Sequence, residues 1–283
     1  MSTATMATAS IAMAPDAFEY VRALVAERAA IVLEASKTYL VDARLGPVAQ
    51  RHGIPSVTDL VSALRNCVFG PLHEEVVEAL TTNETSFFRD VAPFEALRKT
   101  ILPDMIQRRS MERELSIWSA ACSSGQELYS IALTIREHFP VLNTWRLHLL
   151  GTDLVRPMVE RAKAGNYNQA EVNRGLPASC LVKHFQRRGL QWQLSDDIRS
   201  LTTWRRLNLV EPWSGIPAMD VIFLRNVLIY FSPETKRGVL AQVRRVLRRD
   251  GYLFLGGAET TMNLDDSFER MPCDGAVCYR LRA

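Results

Sequence analysis

The sequence predicts an α/β protein with a doubly wound, mostly parallel sheet. A small β-subdomain is inserted in it, and an all-α N-terminal domain precedes it. Three observations carry this reading. From Glu114 onward, β-like runs alternate with helix-like runs, the pattern of a parallel sheet with crossover helices. Residues 16–80 instead show apolar side chains at helical spacing throughout. Residues 170–203 break the alternation with QWQLSDD and SCLVKHFQRR, which suit neither one crossover helix nor a core strand.

In chain order, residues 1–15 read as a disordered tail, small and polar and without Lys or Arg. Residues 16–78 form the helical domain. Phe18, Val21, Val25, Ala29 and Val32 mark the buried stripe of its first helix, with Asp16 as the expected N-cap. A second helix is expected from about Ser36 to Ala49, ending near Gly53. A third opens at Ser56 or Thr58 and ends near Cys67. A fourth begins near Leu72. Residues 79–283 form the second domain, opening on ALTTNETSFFRD. Its strands are ELSIWSA, RLHLLGTD, WRRLNL, DVIFLRNVL and GYLFLGG. Its main helices are LYSIALTIREHF, LVRPMVERAKAG and ETKRGVLAQVRRVLRR. The segment FERMPCDGAVCYRLR reads as an antiparallel addition turning at Asp274-Gly275. The insertion at about 170–203 should hold at least one β-hairpin.

Composition narrows the function. Of 283 residues, 47% are apolar and 23% charged, which suits a soluble globular protein with a sizeable core. A net charge of only +3 argues against a whole-surface nucleic-acid binder. RRVLRR and QRRSMERE read as solvated helix ends and loops. No apolar run approaches the roughly 20 residues of a membrane span, and the N-terminus lacks the basic region of a secretory signal. The five cysteines have no metal-site spacing and read as buried free thiols of a reducing, cytoplasmic compartment.

In doubly wound sheets, ligands bind beyond the carboxyl ends of the strands. That edge collects Ala120 to Glu127, Asp153, Asn208 and Asn226. ACSSGQE is neither GxGxxG nor a P-loop. A carboxylate at Glu127 would repel a pyrophosphate, whereas anions are what helix N-termini usually hold. It suits a cationic ligand instead, and Asp153 suits ribose hydroxyls. S-adenosylmethionine has a sulfonium, an ammonium and a ribose, and fits both. Glu127 read simply as a first-turn helix residue is the alternative. The Pro-Pro-aromatic run of enzymes that methylate DNA-base amino groups is absent from LRNVLIYF.

Three blocks, TTNETSFFRD, WSAACSSGQELYSIAL and DVIFLRNVLIYF, occur in this order and resemble the chemotaxis receptor methyltransferases, the CheR family. The likeness runs from about residue 16 to the C-terminus and implies a class I methyltransferase-like sheet. It further implies methyl transfer from S-adenosylmethionine, with S-adenosylhomocysteine as product, to glutamates on the cytoplasmic helices of chemoreceptors. By resemblance, Asn83, Thr85, Arg89, Glu127, Asp153, Asn208, Leu209, Asn226 and Val227 contact the cofactor. Arg89 also orients the acceptor, Tyr230 matches an active-site tyrosine, and the segment around Asn83 lies over the cofactor as a lid. Phe87 and Phe88 would pack that lid down; a plain linker with a core aromatic pair is the alternative. The histidines His73, His138, His148 and His184 fall outside all three blocks and are expected to be structural or exposed.

This chain also departs from the family pattern. GQEL stands where relatives commonly show GEEP, and Leu224 replaces a frequent cysteine. The basic stripe of the second helix is thin, with Lys37, Arg44 and Arg51 interrupted by Asp42 and Pro47. The loop in FQRRGLQWQL is short, so no tether to a receptor C-terminal peptide is expected. A monomer is expected, with no nucleic-acid partner and no membrane insertion. The competing readings are a methyltransferase for RNA or a small molecule, and a non-catalytic cofactor-sensing or receptor-binding module.

Overall fold

The computed structural model describes residues 13–282; residues 1–12 of the expected tail lie outside them. The chain divides into two compact units, one up to Thr82 and one from Asn83 onward.

The first unit is helical. It comprises α1 (Pro15–Ala29), α2 (Thr38–Arg51, after a short 3-10 turn), α3 (Val57–Arg65) and α4 (Pro71–Ala79). Its core takes Phe18, Val21, Val25, Val41, Leu45, Leu60, Leu64 and Val76, all buried. Several expectations need correcting. Helix α1 opens on Ala14 with Pro15 at its first position, so Asp16 lies inside the first turn. Its carboxylate accepts a hydrogen bond from Arg65 Nη1 at 2.8 Å instead of capping. The helix stops at Ala30, whose φ of 54° is left-handed, so Val32 leaves the stripe and is exposed. Helix α2 runs through Pro47. Ser56 caps α3 by accepting from Asp59 N at 3.1 Å. That helix ends at Arg65, leaving Cys67 exposed, whereas the other four cysteines are buried and free.

The second unit begins with α5 (Ala92–Ala96), which continues through a π-turn at Leu97–Ile101 into α6 (Leu102–Arg108). There follow β1 (Glu114–Ala120), α7 (Gln126–His138), β2 (Arg146–Asp153) and α8 (Arg156–Ala164). The inserted part contains β3 (Asn166–Asn168), α9 (Gln169–Asn173), α10 (Ala178–His184), β4 (Phe185–Arg188), β5 (Gln191–Leu194) and α11 (Asp196–Arg199). The chain then closes with β6 (Thr202–Arg206), β7 (Met219–Leu224), α12 (Pro233–Val246), β8 (Leu247–Leu255), β9 (Phe268–Cys273) and β10 (Ala276–Leu281).

Seven strands form the main sheet in the order β6-β2-β1-β7-β8-β10-β9. Strands β6 to β8 of that order are parallel, and β10 and β9 add antiparallel. The last hairpin turns at Asp274 and Gly275, both with positive φ, as a two-residue turn between twisted strands requires. Three strands of the insertion form a separate sheet, β3-β5-β4, which reaches back to Asn166. The stretch SCLVKHFQRR is half helix and half strand, because Phe185 turns into the core and starts β4. Likewise VLRR does not end α12. Leu247 is buried against the sheet and pairs with Met219 as the first residue of β8.

Register decides where a site can be. From β1 the chain moves outward to β2 and β6, then returns to β7 and β8 on the other side of β1. The switch point therefore lies between β1 and β7. Ala120 pairs with both Thr152 and Leu224, and Leu224 pairs with Leu255. The next residues, Ala121, Asp153, Arg225 and Gly256, thus emerge side by side along one carboxyl rim.

Candidate active site

The loop after β1 is forced into unusual backbone. Ala121 and Ser123 have φ of 58° and 50°, and Gly125 has 94°. A Cβ on Gly125 would lie 2.8 Å from the Trp204 ring and 2.9 Å from Ala162 Cβ, so close packing as well as φ demands glycine there. Phe88, Asp90 and Asn226 are also left-handed. Such backbone costs of order 1–3 kcal/mol per residue and persists where surroundings over-determine it. Its concentration around one rim marks a built site.

The surroundings are specific. Asp153, 6% exposed at the end of β2, accepts from Ser123 N at 2.7 Å and Val155 N at 2.9 Å. Glu127, in the first turn of α7, accepts from Ser119 Oγ and from Arg225 Nη1, both at 2.8 Å. Arg225 is buried, and its other Nη donates to Asp90 Oδ2 at 2.8 Å and to the Arg89 carbonyl at 3.1 Å. The expected role of Glu127 as counter-charge to a ligand is therefore shared, because a buried guanidinium already pairs with it. Nor is it a plain first-turn residue, since its partners lie on β1 and after β7. The Asp153 and Glu127 carboxylates still make the local field negative. Burial first, and then these two charges, push the Cys122 thiol well above its ordinary range.

The segment from Asn83 to Asp90 is braced against this loop and against α7. Ser123 Oγ donates to the Asn83 carbonyl at 2.7 Å, and Phe88 N donates to Ser130 Oγ at 2.9 Å. Phe87 is fully buried, edge-on to Tyr167 at 4.9 Å and to Phe185 at 5.8 Å, while Phe88 meets Phe94 at 5.3 Å. Phe87 is thus core and Phe88 half-buried against it, and this packing fixes the segment. A Cβ on Gly175 would stand 2.0 Å from the Phe87 carbonyl oxygen, so the inserted part presses directly on this backbone.

Asn83 and Thr85 line a cavity of about 380 Å³ together with Ser124 and Gln126, and with Met158, Arg161, Ala170, Glu171 and Arg174 of α8 and the inserted part; Glu127, Asp153, Asn208 and Asn226 are not in its lining. Arg89 is half-buried, and its Nη1 donates to the Glu84 carbonyl at 3.0 Å. Asn208 follows Leu207, whose N–H donates to the Asp153 carbonyl at 2.9 Å. The Asn208 amide is bonded to Glu211 at 3.2 Å. Leu209 is buried, and its carbonyl accepts from Trp213 Nε1 at 3.1 Å. Asn226 and Val227 donate their backbone N–H groups to Glu259, each at 2.8 Å. Tyr230 ends a 3-10 turn three residues beyond Val227 and is half-buried. Among the histidines, His73 and His184 are buried; His184 pairs with Glu137 at 2.6 Å, a structural contact. Sequence reasoning missed Arg225, Asp90 and Glu259. Asp90 and Arg225 do lie inside the blocks TTNETSFFRD and DVIFLRNVLIYF, beside Arg89 and Asn226; nothing local pointed to Glu259.

The rim therefore offers one carboxylate at the end of β2, a second in the first turn of α7, a tightly turned loop free of bulky side chains, and flanking amides. Carboxylates and exposed backbone of this kind fit a ligand that combines a ribose with a cationic group, as S-adenosylmethionine does. Fold and rim together define a class I S-adenosylmethionine-dependent methyltransferase.

Comparison with known proteins agrees. Residues 83–277 match the family described as "CheR methyltransferase, SAM binding domain", and residues 16–81 match "CheR methyltransferase, all-alpha domain". The chain is 40% identical over 270 residues to chemotaxis protein methyltransferase 1 of Pseudomonas aeruginosa, spanning 94% of this chain and 97% of that protein. It is 37% identical to chemotaxis protein methyltransferase Cher2 of Pseudomonas putida over 94% and 98% of the two chains. It is 39% identical to chemotaxis protein methyltransferase 1 of Vibrio cholerae over 89% and 92%. The chain belongs to the CheR methyltransferase family, and S-adenosylmethionine is its cofactor.

Proposed function

We propose that this protein methylates glutamate side chains on the cytoplasmic helical bundle of chemoreceptors or related sensory receptors, giving glutamate methyl esters. The observation that carries the reading is the bracing of the Arg89 segment against the β1–α7 loop and α7 itself, beside the Asp153 and Glu127 carboxylates.

Bound S-adenosylmethionine supplies an electrophilic methyl group on a sulfonium and leaves as S-adenosylhomocysteine. A free glutamate has a pKa of about 4.3, so the acceptor is already ionised at neutral pH. The methyl group would pass to an acceptor carboxylate oxygen held in line with it, the carbon–sulfur electron pair staying with the departing S-adenosylhomocysteine. No proton moves, and no general base is required. What this chain's residues contribute is position. Arg89 has five N–H donors on a planar fork and holds the acceptor carboxylate in line. Tyr230 adds one hydrogen bond. Asn83, Thr85, Asn208 and Leu209 border the cofactor on the remaining sides, and Phe87 and Phe88 exclude water. Alignment of this kind contributes about 7–11 kcal/mol in favourable cases.

In this reading residues 79–283 are the catalytic domain and residues 16–78 the receptor-facing helices. Of the three basic residues on and beside α2, Arg44 donates to the Leu80 and Thr81 carbonyls at 2.7 and 2.9 Å, and Arg51 pairs with Glu75 at 2.6 Å. Arg44 keeps its charge but has its donors turned to backbone, and Arg51 is ion-paired, so receptor docking relies little on a basic stripe. The β4–β5 hairpin turns through Gly189 and Leu190 alone, which supports a mode of action without a C-terminal peptide tether. The protein acts as a cytoplasmic monomer without nucleic acid. Arg244 bonds to Ser267 at 2.8 Å and Arg248 pairs with Asp220 at 3.4 Å, which ties down part of the basic cluster. No helix among the described residues is long and apolar enough to cross a membrane.

Incubation with labelled S-adenosylmethionine and cell membranes tests this. Base-labile label on receptor-sized bands is expected. Label confined to RNA or small molecules would overturn the assignment, as would no transfer at all despite cofactor binding.

A further inference from the structure

Beyond β8 the chain folds back through a tight turn, Gly256-Gly257-Ala258-Glu259, closed by Glu259 N donating to the Gly256 carbonyl at 2.9 Å. The turn carries the Glu259 side chain across to the neighbouring strand end. One carboxylate oxygen, Oε2, accepts from Gly256 N at 2.6 Å and Asn226 N at 2.8 Å. The other, Oε1, accepts from Val227 N at 2.8 Å and Ile229 N at 3.3 Å. A carboxylate has about four lone-pair sites, and this one meets four backbone donors. Bonds to an ionised acceptor are roughly twice as strong as neutral ones.

Two further features agree. Asn226 has φ of 59°, a left-handed conformation that asparagine tolerates better than most residues, and it aims the two successive N–H groups of Asn226 and Val227 at the carboxylate. The fit is also tight. A Cβ on Gly256 would lie 2.7 Å from Glu259 Oε2, 2.8 Å from Asn226 Nδ2 and 2.9 Å from Asn226 N. Only glycine lets the two strand ends approach closely enough for one carboxylate to span them.

We propose that Glu259 is a positioning residue for the methyltransferase reaction. It holds the loop after β7 so that Asn226 and Val227 face the cofactor and Tyr230, on the following turn, faces the acceptor. It acts through those residues. The inference rests on the assignment of Asn226 and Val227 to the cofactor.

The test combines S-adenosylhomocysteine titration by calorimetry with amide hydrogen exchange, in the wild-type protein, Glu259→Gln and Gly256→Ala. In the cofactor-free wild type, the Asn226, Val227 and Ile229 amides should be protected; exchange at unprotected rates overturns the proposal without recourse to any variant. Glu259→Gln should weaken S-adenosylhomocysteine at least tenfold. It should also speed exchange at those three amides at least tenfold while residues 114–120 of β1 stay unchanged. Gly256→Ala should move both readouts in the same direction. Faster exchange with wild-type affinity would make the contact merely structural and overturn the positioning role, as would wild-type behaviour in both readouts. Failure of the wild type to bind S-adenosylhomocysteine would instead overturn the reading of the site.

Discussion

Replacing Arg225 by Met isolates the ionic knot behind the rim. The Arg225 side chain is 1% exposed, and its partners Glu127 and Asp90 are 12% and 57% exposed. Removing the guanidinium lets Asp90 return to water at little cost. Glu127 cannot follow, and keeps only Ser119 Oγ as a partner. Breaking a buried pair by deleting one member costs about 3–5 kcal/mol, because the survivor is a buried, uncompensated charge. One carboxylate is stranded here and still holds one hydrogen bond, so the lower end, about 3 kcal/mol, is expected. The double variant Arg225→Met/Glu127→Gln removes the stranded charge and should recover at least half of the loss. Urea unfolding followed by tryptophan fluorescence measures this cleanly, since all five tryptophans lie beyond Asn83 and report the second unit alone. A loss below about 1 kcal/mol would refute the reasoning. So would a double variant at least as unstable as the sum of the singles, which would mean the pair does not interact.

Four further outcomes are expected. Arg89→Ala should reduce methyl transfer to receptor fragments by at least a hundredfold while urea midpoints stay near wild type; near-normal turnover would remove Arg89 from the mechanism. Asp153→Asn puts an amide donor against the Ser123 or Val155 N–H and should weaken S-adenosylhomocysteine about tenfold, about 1.4 kcal/mol, by calorimetry. Gly175→Ala forces a methyl group onto the Phe87 carbonyl at a residue whose φ is 86°; urea unfolding should show a loss of about 1–3 kcal/mol, and no loss would contradict the close contact. The hydrogen bond and charge of Arg109 hold the Asp250 carboxyl below its ordinary range. A depressed folded pKa means stability present above the unfolded value of about 3.9 and lost as pH falls through the folded value. Asp250→Asn should therefore cost stability at pH 7, and the gap to wild type should narrow steadily below about pH 4; a gap independent of pH would contradict the linkage.

Much of this molecule is legible in its sequence because strand ends are local events. ELSIWSA and RLHLLGTD begin and end where the structure begins and ends β1 and β2, and Asp153 falls on the rim as its place in RLHLLGTD implies. What was not legible depends on partners far apart in sequence. Arg225 meets Asp90 across 135 positions and Glu127 across 98, and Glu259 meets Asn226 across 33. No local pattern distinguishes Glu259 from an ordinary loop acid. Boundaries failed where burial overrode helical propensity. Leu247 and Phe185 each leave a helix-like run because the sheet has an apolar place for them. Asp16 looked like a cap, but Pro15 already occupies the first helical position and Arg65 supplies a better partner for the carboxylate.

A crystal structure of the protein with S-adenosylhomocysteine bears on the whole interpretation at once. The ligand should lie along the carboxyl rim at the β1–β7 switch point, its ribose hydroxyls bonded to the Asp153 carboxylate and the Asn83–Arg89 segment covering it. A ligand bound elsewhere on the molecule, or at the rim with Asp153 and that segment out of contact, would contradict the assignment.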